Sequence, residues 1–159
     1  MTFPITNIAL IIAALSSGLL AGVYFAFSTF VMQSFARLPV DQGIAAMQSI
    51  NVTIVRSPFI AVFLLAAALS LFIAVMAFLN WRGTASVMML TGAVLYIVAS
   101  FLSTIVFNVP LNDALAKADG HTAEAAQLWA TYLSDWTQWN HVRTVASLLA
   151  ACAFVKALF

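Results

Sequence analysis

Charged side chains are scarce in this chain of 159 residues. Only 7% are Asp, Glu, Lys or Arg, whereas 64% are hydrophobic. A soluble domain carries about 25% charged residues, so this composition cannot cover a globular protein in water. The net charge of +1 offers no basic surface, and we expect no nucleic-acid partner. The composition predicts an integral membrane protein in contact with the lipid bilayer.

Residues that usually bind metals or form disulfides are equally scarce. The single cysteine, Cys152, excludes a disulfide framework and a cysteine-based metal motif. There is no His-x-x-x-His, no Glu/His set for a di-iron site and no glycine-rich phosphate loop. We therefore expect no metal or other cofactor. The two histidines, His121 and His141, still leave a haem or metal ligand pair open.

Long apolar stretches are the dominant feature of the sequence. A membrane-spanning helix needs about 20 apolar residues, and four segments approach or exceed that length, at about 5–31, 58–79, 85–107 and 136–159. We predict an all-α fold, a four-transmembrane-helix bundle that forms one membrane domain over residues 1–159. Gly18 and Gly22 have the small-xxx-small spacing that permits close helix contact.

The links between these segments differ in length. A tight turn at 80–83 joins the second and third helices, whereas about 32–57 and 108–135 are long. With four spans, both long links lie on one membrane face, and both termini lie on the other. Lys and Arg are more numerous on the long-link side, which would make that side cytoplasmic, but two of them, Arg56 and Arg143, are candidate site residues. We expect cytoplasmic termini.

The long links are predicted to be partly helical. Apolar residues at helical spacing indicate a short helix over 40–55, and 111–118 and 122–133 have the character of two more. Thr122 is a plausible start for the last of these. Pro110 lacks a backbone donor and is expected to end or kink the third membrane helix. These segments would cover the mouth of the bundle.

The fourth apolar segment begins with a polar cluster. Trp136, Asn140 and Arg143 fall on one stripe of a helix with 100° per residue, Trp139 flanks it, and His141 points well away. Hydrocarbon offers no solvation for an arginine, so such residues need internal partners and usually mark a site. The alternatives are an interfacial aromatic belt for the tryptophans and a snorkelling Arg143.

Other polar residues reach the same membrane face. Asn108 and Asn112 flank the end of the third helix, and Asn51 and Arg56 precede the second. Asn108 has an alternative role as a helix cap, and Arg56 as an interfacial anchor. Amide and guanidinium donors among apolar walls suit a flat hydrophobic small molecule with carbonyl or phenolate oxygens. We expect the substrate-binding residues to be Asn51, Asn108, Asn112, Trp136 and Trp139.

Four motifs in order carry a family resemblance that covers nearly the whole chain. They lie at 22–32 (GVYFAFSTFVM), 46–51 (AMQSIN), 108–112 (NVPLN) and 139–143 (WNHVR). In these the chain resembles the anthrone oxygenase-like family, small four-helix membrane proteins grouped under a domain of unknown function. Fungal members oxidise an anthrone to an anthraquinone with O2. Most bacterial members, which this chain looks like, have no established reaction, and the likeness implies a bacterial inner-membrane location.

The resemblance implies a division of roles in the polar cluster. His141 would be the base that removes a proton from the substrate, since an imidazole titrates near neutrality. Asn140, Arg143 and Asn108 would donate hydrogen bonds to the resulting oxyanion. The helical phase of His141 opposes that role unless the long links close over it. O2 would be the co-substrate, and no metal would be needed.

Three functional hypotheses remain open at this point. The first is an oxygenase or oxidase of flat aromatic, anthrone-, polyketide- or quinone-like substrates. The second is a haem- or metal-carrying redox protein that uses His121 or His141. The third is a non-enzymatic membrane protein that binds a lipid or a partner. A homo-oligomer is possible under each of them.

Overall fold

The computed structural model describes residues 5–159, which are helical and contain no strand. Residues 1–4, part of the predicted single domain, lie outside the described residues. The helices are α1 (Ile5–Phe35), α2 (Val40–Ile54), α3 (Pro58–Leu79), α4 (Thr84–Ala116) and α5 (123–156). The all-α prediction is confirmed for this part of the chain.

The helix starts follow local sequence signals. The Ser57 hydroxyl accepts a hydrogen bond from the Phe59 amide at 3.2 Å, and Pro58 occupies the first turn of α3. The Thr122 hydroxyl caps α5 in the same way, through the Ala125 amide at 3.1 Å. Gly83, with φ of 56°, makes the tight turn before α4, where a side chain would be strained. These three boundaries agree with the sequence prediction.

Turns of π-helix interrupt three of the helices. They lie at Phe27–Val31 in α1, at Leu95–Leu102 and Thr104–Asn108 in α4, and at Tyr132–Trp136 in α5. Each helix continues on both sides of its π turns, so α1, α4 and α5 are longer than the predicted 5–31, 85–107 and 136–159. The sequence predicted separate short helices at 111–118 and 122–133, whereas the structure joins them to α4 and α5 through the π turns.

Pro110 was predicted to end or kink the third membrane helix, and it does not end it. Helix α4 continues to Ala116, because a π turn lies directly before the proline. In that turn the Val109 amide donates to the Thr104 carbonyl, five residues back. Within a regular α-helix the proline ring would collide with the carbonyl four residues earlier. The wider π turn gives the ring room and lets the helix pass through.

The four long helices pack side by side. Helix α1 contacts α3 and α5, and α4 contacts the same two. Their shared core includes Leu10, Leu20, Ile73, Met89 and Phe154, all almost completely buried. Helices α1, α3 and α4 are long and apolar enough to cross a membrane, which indicates an integral membrane protein.

Both long links lie at the same end of these helices, as predicted. The Gln48 amide on α2 donates to the carbonyls of Leu115 and Ala118, at 2.8 and 3.1 Å. The Trp129 ring of α5 packs so closely on Gly43 that a methyl group there would lie 2.9 Å from it. Helix α2 is therefore attached to the ends of α4 and α5 and covers that end of the bundle.

Tight packing at Gly92 gives a test of the arrangement of α4 and α5. A Cβ added at Gly92 would lie 2.6 Å from the ring of Phe154, which is fully buried. We predict that Gly92→Ala lowers the free energy of unfolding by about 1–3 kcal/mol, the usual cost of overpacking. The measurement is thermal or denaturant unfolding in detergent.

Gly18→Ala is the matched control for this prediction. No heavy atom lies within 4 Å of a Cβ added at Gly18 or at Gly22, so this pair makes no close helix contact among the described residues. Alanine also has the better helix propensity, by about 1 kcal/mol. Gly18→Ala should leave stability unchanged or slightly raise it. Equal destabilisation by both variants would contradict the packing described here.

Candidate functional site

Arg143 of α5 is buried, with only 4% of its surface exposed. Its guanidinium lies between two aromatic rings, with Cζ 4.8 Å from the centroid of Tyr24 and 5.1 Å from that of Trp136. Nη1 donates to the Thr104 hydroxyl at 3.2 Å, and Nη2 to the Asn140 amide oxygen at 2.9 Å. Both partners are neutral, and Nε has no partner. The buried cation therefore retains capacity to bind an anion.

Asn140 holds this arginine in place. Its side chain is fully buried, and its Nδ2 donates to the Tyr24 carbonyl at 2.6 Å and to the Ser28 hydroxyl at 2.8 Å. With both donors used on α1, the amide oxygen is directed at Arg143. The single residue thus ties α1 to α5 and orients the guanidinium.

Two further polar contacts join α4 to α5. The Ser147 and Ser100 hydroxyls are 3.0 Å apart, and the Asn108 Nδ2 donates to the Trp136 carbonyl at 3.1 Å. Asn108 is fully buried. Its side chain makes no helix-cap hydrogen bond. The amide nitrogen instead joins two helices, and Oδ1 is buried without a partner among the described residues. The role of Asn108 as a substrate ligand stays a prediction.

The π turns coincide with this polar cluster. The cluster residues that lie in π turns are Ser28 of α1, Ser100, Thr104 and Asn108 of α4, and Trp136 of α5. A π turn changes the direction in which side chains leave the helix, and such turns are frequent at functional sites. Three helices therefore depart from regular geometry at the level where their polar side chains meet.

An internal cavity of about 130 Å³ lies against Arg143, and we call it the inner cavity. All five helices contribute to its walls. The polar lining residues are Tyr24, Asn51, Thr104, Asn112, Trp136, Asn140 and Arg143. The rest of the wall is aliphatic or aromatic and includes Phe59 and Phe63. The inner cavity is thus an apolar chamber with a few polar groups, the usual composition of a small-molecule site.

Unpaired polar atoms gather on the residues of this wall. Asn51 Nδ2, Trp136 Nε1, Arg143 Nε and the Tyr24 hydroxyl are buried and have no protein partner among the described residues. The first three are donors only, and the hydroxyl can also donate. Buried polar groups normally find partners. A ligand with acceptor oxygens would satisfy this excess of donors.

A second, open cleft of about 840 Å³ adjoins the inner cavity, and we call it the outer cleft. It lies between α2 and the end of α4. Ile54, Val55, Val109, Asn51 and Asn112 line both spaces. The Tyr132 hydroxyl donates to Asn112 Oδ1 at 2.6 Å and fixes that amide. Asn51 and Asn112 therefore mark the boundary between the two spaces.

The inner cavity brings together five of the eight residues predicted from the sequence, namely Asn51, Asn112, Trp136, Asn140 and Arg143. Trp139 is outside it and stacks on Phe107 of α4, with ring centroids 3.6 Å apart. Asn108 is buried between helices, as described above. His141 is exposed on α5 and does not line the cavity, because the helical phase turns it away from Arg143.

Tyr24 is one of the cavity residues that were not predicted from the sequence. Its ring covers Arg143, and its carbonyl accepts from Asn140. A signal was present, since Ser17, Tyr24 and Ser28 follow one another at spacings of seven and four residues, which places them on one face of α1. That stripe was masked by the strongly apolar residues around it.

Neither histidine lines the inner cavity. His121, in the turn before α5, and His141 are both exposed. Within residues 5–159, no group of three or more His, Cys, Asp and Glu side chains is placed to hold a metal ion. The residues of the inner cavity instead suit an organic ligand with oxygen acceptors.

The comparisons with known proteins agree with the expected family. The family model described as anthrone oxygenase matches residues 58–153, which is more than half of the chain. The match includes α3, α4 and the part of α5 that carries Asn140 and Arg143. No curated protein and no solved structure matched the chain. The chain belongs to the anthrone oxygenase family.

Proposed function

We propose that this protein is a membrane oxygenase that converts a flat, anthrone-like aromatic ketone to the corresponding quinone with O2 and without a metal. The observation that carries the proposal is the buried guanidinium of Arg143, which lies beside an apolar cavity and has neutral partners only. Family membership supports the same reaction class. Family alone does not establish a reaction, so the residues of the site must support it independently.

The size of the cavity supports an aromatic ligand. A cavity of about 150 Å³ lined by apolar side chains holds one benzene molecule, and the inner cavity has about 130 Å³. It therefore accommodates one ring of a fused system. The outer cleft, which shares five lining residues with it, provides space for the remaining rings. Phe59, Phe63 and Trp136 supply ring faces for stacking.

The chemistry needs only electrons from the substrate and oxygen from O2. Loss of a proton from the CH2 carbon leaves an anion whose charge is delocalised onto the carbonyl oxygen. That carbon transfers an electron pair to O2, a C–O bond forms, and protonation gives a hydroperoxide. Loss of the second C–H proton and cleavage of the O–O bond then yield the quinone carbonyl and water. One anthrone and one O2 give one anthraquinone and one water.

Arg143 and Asn140 have complementary roles in this proposal. The Arg143 guanidinium is placed to bind the oxygen on which the negative charge develops, and fixed donors in an enclosed site stabilise such charge strongly. Asn140, bonded to α1, keeps the guanidinium in position. Most of the wall is apolar, and a less polar environment than water strengthens that electrostatic interaction.

The haem or metal alternative makes a different spectroscopic prediction. It would need ligands from His121 or His141, both of which are exposed and outside the inner cavity. A Soret band or stoichiometric metal in the purified protein would favour that alternative over the cofactor-free reaction.

The oxygenase proposal predicts opposite results for two variants on α5. Arg143→Gln should lower the rate of anthrone-dependent O2 uptake by about 100-fold, the usual cost of removing a donor to a developing oxyanion. His141→Ala should retain most of the activity, because His141 does not line the cavity. The measurement is O2 uptake together with quinone absorbance, in protein purified in mild detergent.

Arg37→Gln is the matched control, since Arg37 is exposed and outside the site. It should behave as the unmodified protein does. Loss of activity in a correctly folded His141→Ala variant would support His141 as the base, as predicted from the sequence. Absence of O2 uptake with any anthrone-like ketone, while such ketones still bind, would contradict the oxygenase and favour the non-enzymatic binding protein.

We further propose that α5 crosses the membrane as a fourth span. It packs along α1 and α4, and its exposed residues after the polar cluster are apolar, including Val145, Leu148 and Leu149. Both termini would then lie on one side, which we propose is the cytoplasm of a bacterial cell.

This topology has a direct test. Reporters of compartment fused before Met1 and after Phe159 should give the same sidedness. A reporter inserted in the turn at Asp119, between α4 and α5, should give the opposite one. Termini on opposite sides of the membrane would contradict the four-span arrangement.

A further inference from the structure

Among the described residues, the inner cavity is lined by no side chain that would normally act as a base. None of its lining residues is Asp, Glu, His or Lys. Arginine stays protonated in proteins, so Arg143 can balance a negative charge and is unsuited to removing a proton. The only other titratable residue in the wall is Tyr24, a phenol covered by Arg143. The site is built to hold an anion rather than to generate one.

We propose that the inner cavity binds its aromatic substrate as the anion, with Arg143 as the counter-ion, and that the proton leaves to water before the ring is enclosed. This inference rests on the proposed function, because it concerns the same site and substrate. It defines the substrate class as aromatic compounds with one acidic hydroxyl or enolisable ketone, whose conjugate base is a delocalised monoanion.

The surroundings of Arg143 are neutral on every side. The titratable groups that face it are the phenols of Tyr24 on α1 and Tyr132 on α5. Towards the same cavity, α2 presents Asn51, α3 presents Phe59 and Phe63, and α4 presents Thr104 and Asn112. No carboxylate is among the lining residues, so the full charge of the guanidinium is available to a ligand.

The outer cleft provides a place for the proton to be lost. It is open and lined by polar side chains that include Ser49, Thr53 and Asp113. Only neutral groups, Asn51 and Asn112, stand at its polar boundary with the inner cavity. An acidic aromatic compound can therefore ionise in contact with water and then move past two amides to Arg143. The neutral form would enter the cavity without satisfying the buried charge.

The test is a spectroscopic titration with an acidic phenol that is not oxidised, 4-nitrophenol, whose anion has its own visible absorption band. It is bound to the purified protein in detergent and titrated with base. If the anion binds at least tenfold more tightly than the neutral phenol, the pH midpoint of the bound probe falls by about one unit or more. The reference is the same probe in empty detergent micelles.

Two variants test whether the guanidinium of Arg143 causes the shift of the pH midpoint. Arg143→Gln, checked for folding by its melting temperature, should abolish the downward shift, whereas Arg37→Gln should keep it. An unshifted or raised midpoint in the unmodified protein would overturn the proposal. So would an identical downward shift in folded Arg143→Gln.

A second ligand keeps the proposal testable if Arg143→Gln does not fold. 4-Nitroanisole has the same ring and no acidic proton, so the unmodified protein should bind it at least tenfold more weakly than 4-nitrophenolate, with an affinity independent of pH. Equal affinity for the two ligands would overturn the proposal.

The proposal and the oxygenase function fail in different experiments. If an anthrone drives O2 uptake while the pH midpoint of the bound probe is unshifted, the oxygenase function is supported and the binding of a preformed anion is contradicted. If the pH midpoint of the bound probe is lowered and no anthrone-like ketone drives O2 uptake, the anion site is supported and the oxygenase function is contradicted.

Discussion

The buried positive charge of Arg143 is the constraint on which the rest of the structure depends. A charged side chain in an apolar interior is costly unless polar groups surround it. Helix α1 supplies the ring and carbonyl of Tyr24, α4 supplies the Thr104 hydroxyl, and α5 supplies Asn140 and Trp136. Each of these three helices adopts a π turn near this level. The helix geometry and the polar cluster are thus parts of one arrangement.

The unpaired polar atoms around this charge indicate which kind of ligand the site would bind. The buried, unpaired polar atoms on the described residues that line the inner cavity can all donate a hydrogen bond, and most of that wall is apolar. A structural ion pair would place a carboxylate beside the arginine, which removes the net charge. Here the guanidinium is held by neutral oxygens and aromatic rings, so the charge remains free to act on a ligand. That difference supports the proposed binding role of Arg143 over a purely structural one.

Much of the fold follows from the sequence, because apolar runs and caps are local signals. The bounds of α3, the cap at Thr122 and the covering helix α2 were all predictable in this way. The π turns were not, since they arise from packing between helices. The same limit applies to the site. Helical phase placed Asn140 and Arg143 on one stripe and turned His141 away, but the contact of Asn108 depends on where two helices meet.

The proposed role of Arg143 and the inner cavity is to hold an aromatic oxyanion. The most direct test is an experimental structure of the protein in a membrane mimetic, with a hydroxyanthraquinone bound. We expect one ring of the ligand between Phe59, Phe63 and Trp136, and a ligand oxygen within hydrogen-bond distance of the Arg143 guanidinium. A ligand bound elsewhere, or an Arg143 paired with a carboxylate or directed at lipid, would contradict it.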